Sequence, residues 1–156
     1  MPSSLPCDAV PDERLRLIVE SYRRLTGKPL LDAEPSDDTA LRLALWNAPR
    51  AIVAHGTEDD PVFFYGNRLA LELFEMNFAT FARLPSRYSA EPLAREARAQ
   101  LLERVTRQGY VDDYSGVRIA ASGKRFMIDA ATVWNLLDET GIHRGQAAAF
   151  SDWRML

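Results

Sequence analysis

The chain has 156 residues, a length typical of one domain, and 47% of them are hydrophobic, as in an ordinary globular protein. A formal net charge of -3 argues against nucleic acid as the main partner, because phosphate binding needs a clustered basic face. The single cysteine excludes an intrachain disulfide and favours a reducing cytoplasm, and no apolar run is long enough to span a membrane.

Helical patterns come first along the chain. Residues 1–11, with three prolines and two serines, are predicted to form a flexible tail. Apolar residues recur at helical spacing over 12–25, which predicts an amphipathic helix that Gly27 ends. A second helix is predicted over 37–47, where Ser36 precedes an acidic first turn.

Two strands and a run of short helices occupy the middle of the chain. Strands at 51–56 and 62–66 flank the turn TEDDP and are predicted to form a hairpin. Asn67 begins a predicted helix over 68–76, and a second helical turn follows over 77–84.

One longer helix and three strands complete the chain. The proline-bounded loop 85–92 precedes a predicted helix over 93–108, whose apolar residues recur at every fourth position. Three strands are then predicted over 110–122, 123–138 and 143–150. Strands placed before and after a central helical run are typical of an α+β fold with an antiparallel sheet.

The order of these elements is similar to that of PAS domains. FFYGNRLALELFEM resembles the strand, asparagine and helix that open a PAS core, and LDETG followed by HRGQAAAFSD resembles its final hairpin. Five longer segments resemble the MEKHLA family, a PAS-like domain of stand-alone bacterial proteins and of some plant homeodomain–leucine zipper regulators. They are SYRRLTGKPLL, NFATFARLPSRYSAEP, LLERVTRQGYVDDYSGVRIAASGKRFMI, TVWNLLDETG and GQAAAFSDW. The chain is therefore identified as a stand-alone bacterial member, with a single PAS-like domain over 12–156.

The resemblance implies an α+β fold with a PAS-like five-stranded antiparallel sheet. The helical segment 67–108 would cover one face, and the N-terminal helices, above all 12–25, or a second subunit would cover the other. Two covers account for the strand GKRFMIDAATVWNLL (123–137), which is apolar on much of both faces. Each large apolar side chain buried there would contribute about 1.5–3 kcal/mol.

Small residues on the predicted strands are the observation that points to a cavity. They are Ala120, Ala121, Ala130, Ala131, Ala147, Ala148, Ala149 and Gly145. Alanine and glycine are depleted in strands because they pack little. Either closely packed helices and large neighbours fill the space that they leave, or a ligand does.

Eight residues are the candidate ligand contacts: Phe74, Phe81, Arg87, Tyr88, Arg118, Trp134, Asn135 and Gln146. The loop residue Arg87 can hold a carboxylate or phosphate bidentately, or it can pair with a surface acid. Trp134 and Asn135 are expected at the mouth of the cavity, with ordinary packing as the alternative.

Two pairs of polar side chains also have a structural interpretation. Arg118 and Arg125 are expected across a hairpin from one another, where acidic residues of both strands favour a structural ion-pair network. Asn135 and Gln146 can hydrogen-bond to the polar edge of a ligand, or they can hydrogen-bond to each other and to the backbone.

The sequence predicts no metal, haem or covalent flavin chemistry. His55 and His143 lie far apart without cysteine or acid at metal-ligand spacing, and the helix 93–108 has no histidine for a haem iron. A flavin photoadduct needs a cysteine beside the ring, whereas Cys7 lies in the predicted tail. Phe150 also stands where light-sensing PAS domains carry a flavin-contacting glutamine. The identity of any other cofactor stays open.

These features predict a cytoplasmic, non-catalytic sensory or binding module for a small molecule or a partner. Its signal would leave through a separate partner or a homodimer, in which Leu17 on helix 12–25 faces a second subunit. One alternative is a small enzyme that uses Arg87, Tyr88 or Asp112 in the same cavity. The other is a structural interaction domain with a filled core and no ligand.

Overall fold

The computed structural model describes residues 5–90 and 95–156 of the chain. The first four residues of the predicted tail lie outside the described residues, as do the end of the predicted loop 85–92 and the start of the predicted helix 93–108.

Two helices open the described chain. The first, α1, spans Asp12–Thr26 and ends at Gly27, whose φ of 74° lies in the left-handed region that glycine adopts at little cost. The second, α2, spans Asp38–Trp46, and its N-cap is Asp37, whose side chain accepts a hydrogen bond from the N–H of Ala40 at 2.8 Å.

Within the described residues, six strands form one antiparallel sheet. They are β1 (Ala51–His55), β2 (Phe63–Gly66), β3 (Tyr110–Ile119), β4 (Arg125–Leu137), β5 (His143–Phe150) and β6 (Asp152–Met155). Five of them follow the order β2-β1-β5-β4-β3, and β6 pairs with the first part of β4, beyond the end of β5. The predicted α+β, PAS-like fold is confirmed, with β6 as a strand that the sequence analysis did not predict.

Between β2 and β3 the described residues form three α-helices. They are α3 (Arg68–Phe74), α4 (Phe78–Phe81) and α5 (Arg95–Gln108), and a 3₁₀ turn spans Ser86–Ser89. The predicted cap of α3 is confirmed, because the Asn67 side chain accepts a hydrogen bond from the N–H of Ala70 at 3.1 Å. Asn77 caps α4 in the same way through the N–H of Thr80.

Both faces of the sheet are covered by helices. We call one the N-terminal face: its strand residues pack with α1 and α2, and they are Ile52, Ala54, Trp134, Leu136, Ala147 and Ala149. The opposite face, here the inner face, packs with α3, α4 and α5 through Ala51, Val53, Phe126, Ile128, Ala131, Val133 and Phe150. The two covers expected for the strand 123–137 are therefore present.

A bulge in β4 reverses the alternation of this strand. Ala130 has a φ of 51°, and the pairing of β3 with β4 is irregular at the same level. Before the bulge Phe126 and Ile128 lie on the inner face, whereas after it Ala131 and Val133 lie there. One inserted residue thus exchanges the faces of all residues that follow.

The tail predicted for residues 1–11 is wrong where the structure describes it. Cys7 is fully buried and Val10 nearly so, both in the core under α1 and α2. Arg42 holds this segment: it donates to the carbonyls of Cys7 and Val10 at 2.7 and 2.6 Å and to the Asp12 carboxylate at 2.7 Å. Composition does not reveal an anchor that the chain supplies from a helix far along the sequence.

Candidate functional site

The apolar half of the inner face is filled by four phenylalanines. Phe63 stacks on Phe81 with ring centroids 4.3 Å apart, and Phe74 lies 5.6 Å from Phe81 and 5.3 Å from Phe126. Each of these four rings is at most 3% exposed. The predicted contacts Phe74 and Phe81 are thus core residues, and much of the space expected above the alanines is occupied by aromatic packing.

A row of three polar residues crosses the other half of the inner face. His55 of β1 pairs with Gln146 of β5, which pairs with Asn135 of β4. Directly opposite residues of antiparallel strands share a face. The Asn135 side chain donates to the carbonyl of Val105 in α5 at 3.2 Å and lies 3.5 Å from the Gln146 amide nitrogen. Asn135, at one end of this row, therefore lies beneath α5.

His55 is a neutral hydrogen-bond acceptor in this row. Burial lowers the pKa of His55 below 6.5 and outweighs the hydrogen bond to Gly56 and the charge of Glu58, which raise this pKa; the charges of His143 and Arg118 add to the lowering. The Nδ1 atom lies 2.9 Å from the carbonyl oxygen of Gly56, which can only accept. Nδ1 therefore carries the proton, and Nε2 presents a lone pair.

Arg118 reaches the inner face from β3. It lies opposite Phe126, its guanidinium donates to the Ser89 hydroxyl at 3.3 Å, and it lies 5.7 Å from the ring centre of Tyr114. Ser89 is fully buried and donates its own proton to the carbonyl of Ser86 at 2.7 Å. Within the described residues Arg118 has no carboxylate partner.

Solvent reaches the centre of this polar half. Ala148 lies on β5 between β1 and β4 and packs toward the inner face, yet it is only half-buried. His55, Arg118, Asn135 and Gln146 are half-buried as well. Ala148 has a strand on each side, so solvent can reach its methyl group only through the layer that covers the inner face. Its exposure therefore marks a recess in that layer.

The recess offers binding groups rather than a catalytic pair. The described polar side chains of this region are His55, Gln146 and Asn135 in one row, and Arg118 with its hydrogen-bond partner Ser89. Ser89 bonds to a backbone carbonyl and to Arg118, so it lacks the histidine contact that activates a nucleophile. The described residues also contain no group of three or more His, Cys, Asp or Glu that could hold a metal ion.

The sequence placed three candidate contacts wrongly. Arg87 donates through Nε to both carboxylate oxygens of Asp60, at 3.0 Å each, and its guanidinium lies 4.2 Å from the ring centre of Tyr88. Tyr88 is 55% exposed, so this pair lies on the surface. Trp134 is fully buried under α1, where its indole N–H donates to the Ile18 carbonyl at 3.2 Å. The bulge explains this error, because it turns Trp134 to the N-terminal face.

The ion-pair network expected for Arg118 and Arg125 does not include Arg118 within the described residues. Asp113 pairs with Arg104 of α5 at 2.8 Å, and Asp129 pairs with Arg154 of β6 at 3.8 Å. Both acids pair with arginines that the sequence analysis did not consider. Neither acid therefore pairs with the guanidinium of Arg118.

Two contributors to the recess were missed. His55 was considered only as a metal ligand, although it is the one polar residue at the end of an apolar strand. Ser89 lies in a loop whose path across the sheet depends on a bridge between Ala90 and Arg118, and no local pattern signals that contact.

Two open grooves lie outside the inner face. The larger, of about 630 Å³, runs between α1 and the β4–β5 hairpin, with Leu17 as its apolar residue. Its charged lining consists of Glu13, Arg14, Arg16, Glu20, Arg24, Asp138, Glu139 and Arg144. A second groove of about 490 Å³ lies between residues 6–9 and α4.

Comparison with known sequences gives a family and a set of plant relatives. The family model of the MEKHLA domain matches residues 12–155. The homeobox-leucine zipper protein ATHB-14 of Arabidopsis thaliana is 28% identical over 156 residues, which cover 97% of this chain and 18% of that protein. HOX10 of Oryza sativa is 28% identical over 139 residues, covering 88% and 16%. The chain thus spans less than a fifth of these relatives.

Comparison with solved structures supports the fold alone. An RNA-binding light-oxygen-voltage receptor superposes with a TM-score of 0.65 and 16% identity over 80% of this chain and 35% of that one. A PAS domain from Colwellia psychrerythraea gives 0.61 and 16% over 77% and 98%. The light-state dimer of the fungal photoreceptor Vivid gives 0.55 and 15% over 84% and 91%. None of the described helices combines the length and apolarity that crossing a bilayer requires.

Proposed function

Since the chain belongs to the MEKHLA domain family, with the fold of PAS sensory domains, we propose that it is a non-catalytic sensory module that binds a small molecule on the inner face of its sheet. The observation that carries the proposal is the recess beneath α5. His55, Gln146 and Asn135 form one row there beside the half-buried Ala148, and Arg118, which has no carboxylate partner among the described residues, is close enough to His55 for its charge to lower the pKa of His55. Buried polar groups left incompletely paired in a folded core favour a ligand that completes them.

The binding energy of such a ligand is the source of the signal. A ligand shifts a conformational equilibrium only by its differential affinity for the two states. The Asn135–Val105 bond joins the recess to the last turns of α5, so a ligand that competes for the Asn135 amide changes how α5 is held. We assign the protein to the cytoplasm because its one cysteine suits a reducing compartment, and its assignment as a stand-alone bacterial protein stays a prediction.

Native mass spectrometry of the full chain purified from cells tests the binding proposal. A bound molecule of defined mass, released by denaturation, is the expected result. Its loss in a Gln146→Leu variant would place it in the recess, and the matched control Gln108→Leu changes a glutamine at the exposed end of α5. A mass equal to that of the bare chain under all ionisation conditions would contradict the proposal.

A structural interaction domain with no ligand is the second candidate. The packing of Phe63, Phe74, Phe81 and Phe126 favours it, because these rings fill the apolar half of the inner face. The small-enzyme alternative has no comparable support: Arg87 and Tyr88 lie on the surface, and Asp112 is exposed on β3.

A homodimer through α1 is the proposed route of output. The groove beside α1 presents Leu17 between acidic and basic residues, an arrangement that a second α1 of the same sequence can complement in charge. Sedimentation of the full chain should show a dimer that Leu17→Glu weakens at least tenfold. Leu43→Glu, at a leucine that is 49% exposed on α2, should leave it unchanged. A wild-type monomer at high micromolar concentration would contradict this route.

A further inference from the structure

We infer that the ligand of the recess is a small organic anion that also carries a hydrogen-bond donor, with its anionic group on Arg118 and its donor on Nε2 of His55. This inference rests on the proposed function, because it names the class of molecule that the recess takes.

The anionic end follows from the state of Arg118. Its guanidinium has five N–H donors, and the one hydrogen bond in which the described residues engage it goes to the neutral hydroxyl of Ser89 at 3.3 Å. It is half-buried on a face packed with aromatic rings, where the planar fork suits a bidentate carboxylate or phosphate. Two other arginines of the fold, Arg87 and Arg104, are neutralised by Asp60 and Asp113.

The surroundings of Arg118 favour the same sign of charge. Arg118 contacts the neutral hydroxyl of Ser89, and its guanidinium lies 5.7 Å from the ring centre of Tyr114. The positive charge of Arg118 is also one of the causes that lower the pKa of His55, so the two groups share one electrostatic environment. An anion beside Arg118 meets attraction from the guanidinium, whereas the charge of Glu58, which also acts on His55, opposes it.

The donor end follows from the tautomer of His55. Its Nδ1–H is used by the Gly56 carbonyl, which leaves the Nε2 lone pair as an acceptor with no partner among the described residues. Nε2 is not enclosed in the core either, because Tyr65 Oη is the one fully buried side-chain polar atom without a partner in this part of the chain. A ligand N–H or O–H is the complement that a neutral imidazole acceptor requires.

Three aromatic probes separate these two contacts. 4-Hydroxybenzoate carries an anion and a donor, 4-hydroxybenzamide replaces the anion by a neutral group of the same shape, and benzoate lacks the donor. Ligand-observed NMR and calorimetry on the full chain measure their dissociation constants. We expect 4-hydroxybenzoate to bind at least tenfold more tightly than either analogue.

Variants assign each difference to its residue. Arg118→Gln should remove the advantage of the acid over the amide, Arg118→Lys should restore part of it, and Arg87→Gln, at an arginine paired on the surface, should change nothing. His55→Phe should remove the advantage of 4-hydroxybenzoate over benzoate and leave the acid–amide difference intact. Circular dichroism of each variant verifies that it is folded.

The outcomes distinguish this inference from the proposed function. The inference is overturned if the amide binds as tightly as the acid, or if Arg118→Gln and Arg87→Gln have equal effects. It is also overturned if the molecule that native mass spectrometry finds in the recess is neutral, although the sensory proposal then stands. A protein that holds no molecule from cells and binds none of the three probes overturns both.

Discussion

The buried side chain of Asn67 hydrogen-bonds to three secondary-structure elements, and replacing it by alanine should remove a large part of the free energy of unfolding. The residue is fully buried. Its Oδ1 accepts from the N–H groups of Ile52 and Ala70, both at 3.1 Å. Its Nδ2 donates to the carbonyls of Leu45 and Arg50, at 3.1 and 2.8 Å. One side chain thus satisfies the end of α2, the start of β1 and the first turn of α3.

The expected cost of Asn67→Ala follows from the partners that it leaves behind. The N–H groups of Ile52 and Ala70 lose their acceptor inside the core, and each unsatisfied buried group costs about 1–3 kcal/mol. The Leu45 carbonyl keeps a bond from the N–H of Asn47, so it adds less. We therefore expect a loss of about 2–6 kcal/mol in the free energy of unfolding, against a total of about 5–15 kcal/mol for a domain.

Asn77→Ala is the matched control for this experiment. Asn77 caps α4 with the same geometry, through the N–H of Thr80 at 2.8 Å, but it is exposed to solvent. Losing this cap alone should cost about 1 kcal/mol. Urea unfolding followed by circular dichroism measures both variants, and equal m-values show that the denatured states are comparable. If Asn67→Ala costs no more than Asn77→Ala, the reasoning about buried partners is refuted.

Three further measurements test other parts of the fold. Gly145→Ala should destabilise the fold by about 3 kcal/mol or more, or prevent folding. The backbone there has a φ of 145°, and a Cβ would lie 2.1 Å from the His55 carbonyl oxygen. A variant of normal stability would contradict this. The folded-state pKa of His55 lies below 6.5, so the unfolded chain binds the proton first and stability should fall as the pH drops below 6.5. His55→Gln should flatten that part of the pH profile, and an unchanged profile would count against it. Burial raises the pKa of the Cys7 thiol, so a thiol reagent should label the native protein slowly. Arg42→Gln removes the hydrogen bonds to the carbonyls of Cys7 and Val10 and should speed labelling at least tenfold. Equal rates would show that Arg42 does not hold residues 7–10 in place.

Local patterns in the sequence predicted most of the framework. Caps such as Asn67 and the spacing of apolar residues in α1 depend on neighbours within a few positions, so they can be read directly. The two faces of the sheet and the helices that cover them followed from the resemblance to PAS domains. These predictions succeeded because local geometry and tertiary packing favour the same arrangement.

Long-range contacts account for what the sequence did not predict. Cys7 is buried because Arg42, 35 residues away, binds the carbonyls beside it. Arg118 lies in the recess because Asp113 and Asp129 pair with Arg104 and Arg154, choices that composition cannot rank. Each error concerns the partner that a polar group selects, which depends on the folded geometry of distant segments.

The bulge at Ala130 decides which residues can reach the site, and a pair of glycine substitutions tests it. A φ of 51° costs alanine about 1–2 kcal/mol, whereas glycine adopts it freely and loses about 0.5–1 kcal/mol of chain entropy. Ala130→Gly should therefore be neutral or stabilising. Ala131→Gly, at a fully buried position one residue later, should lose about 1–2 kcal/mol through the missing methyl group and the same entropy. If urea unfolding shows equal losses at both positions, Ala130 is not the inserted residue, and the placement of Trp134 under α1 and of Asn135 in the recess loses its explanation.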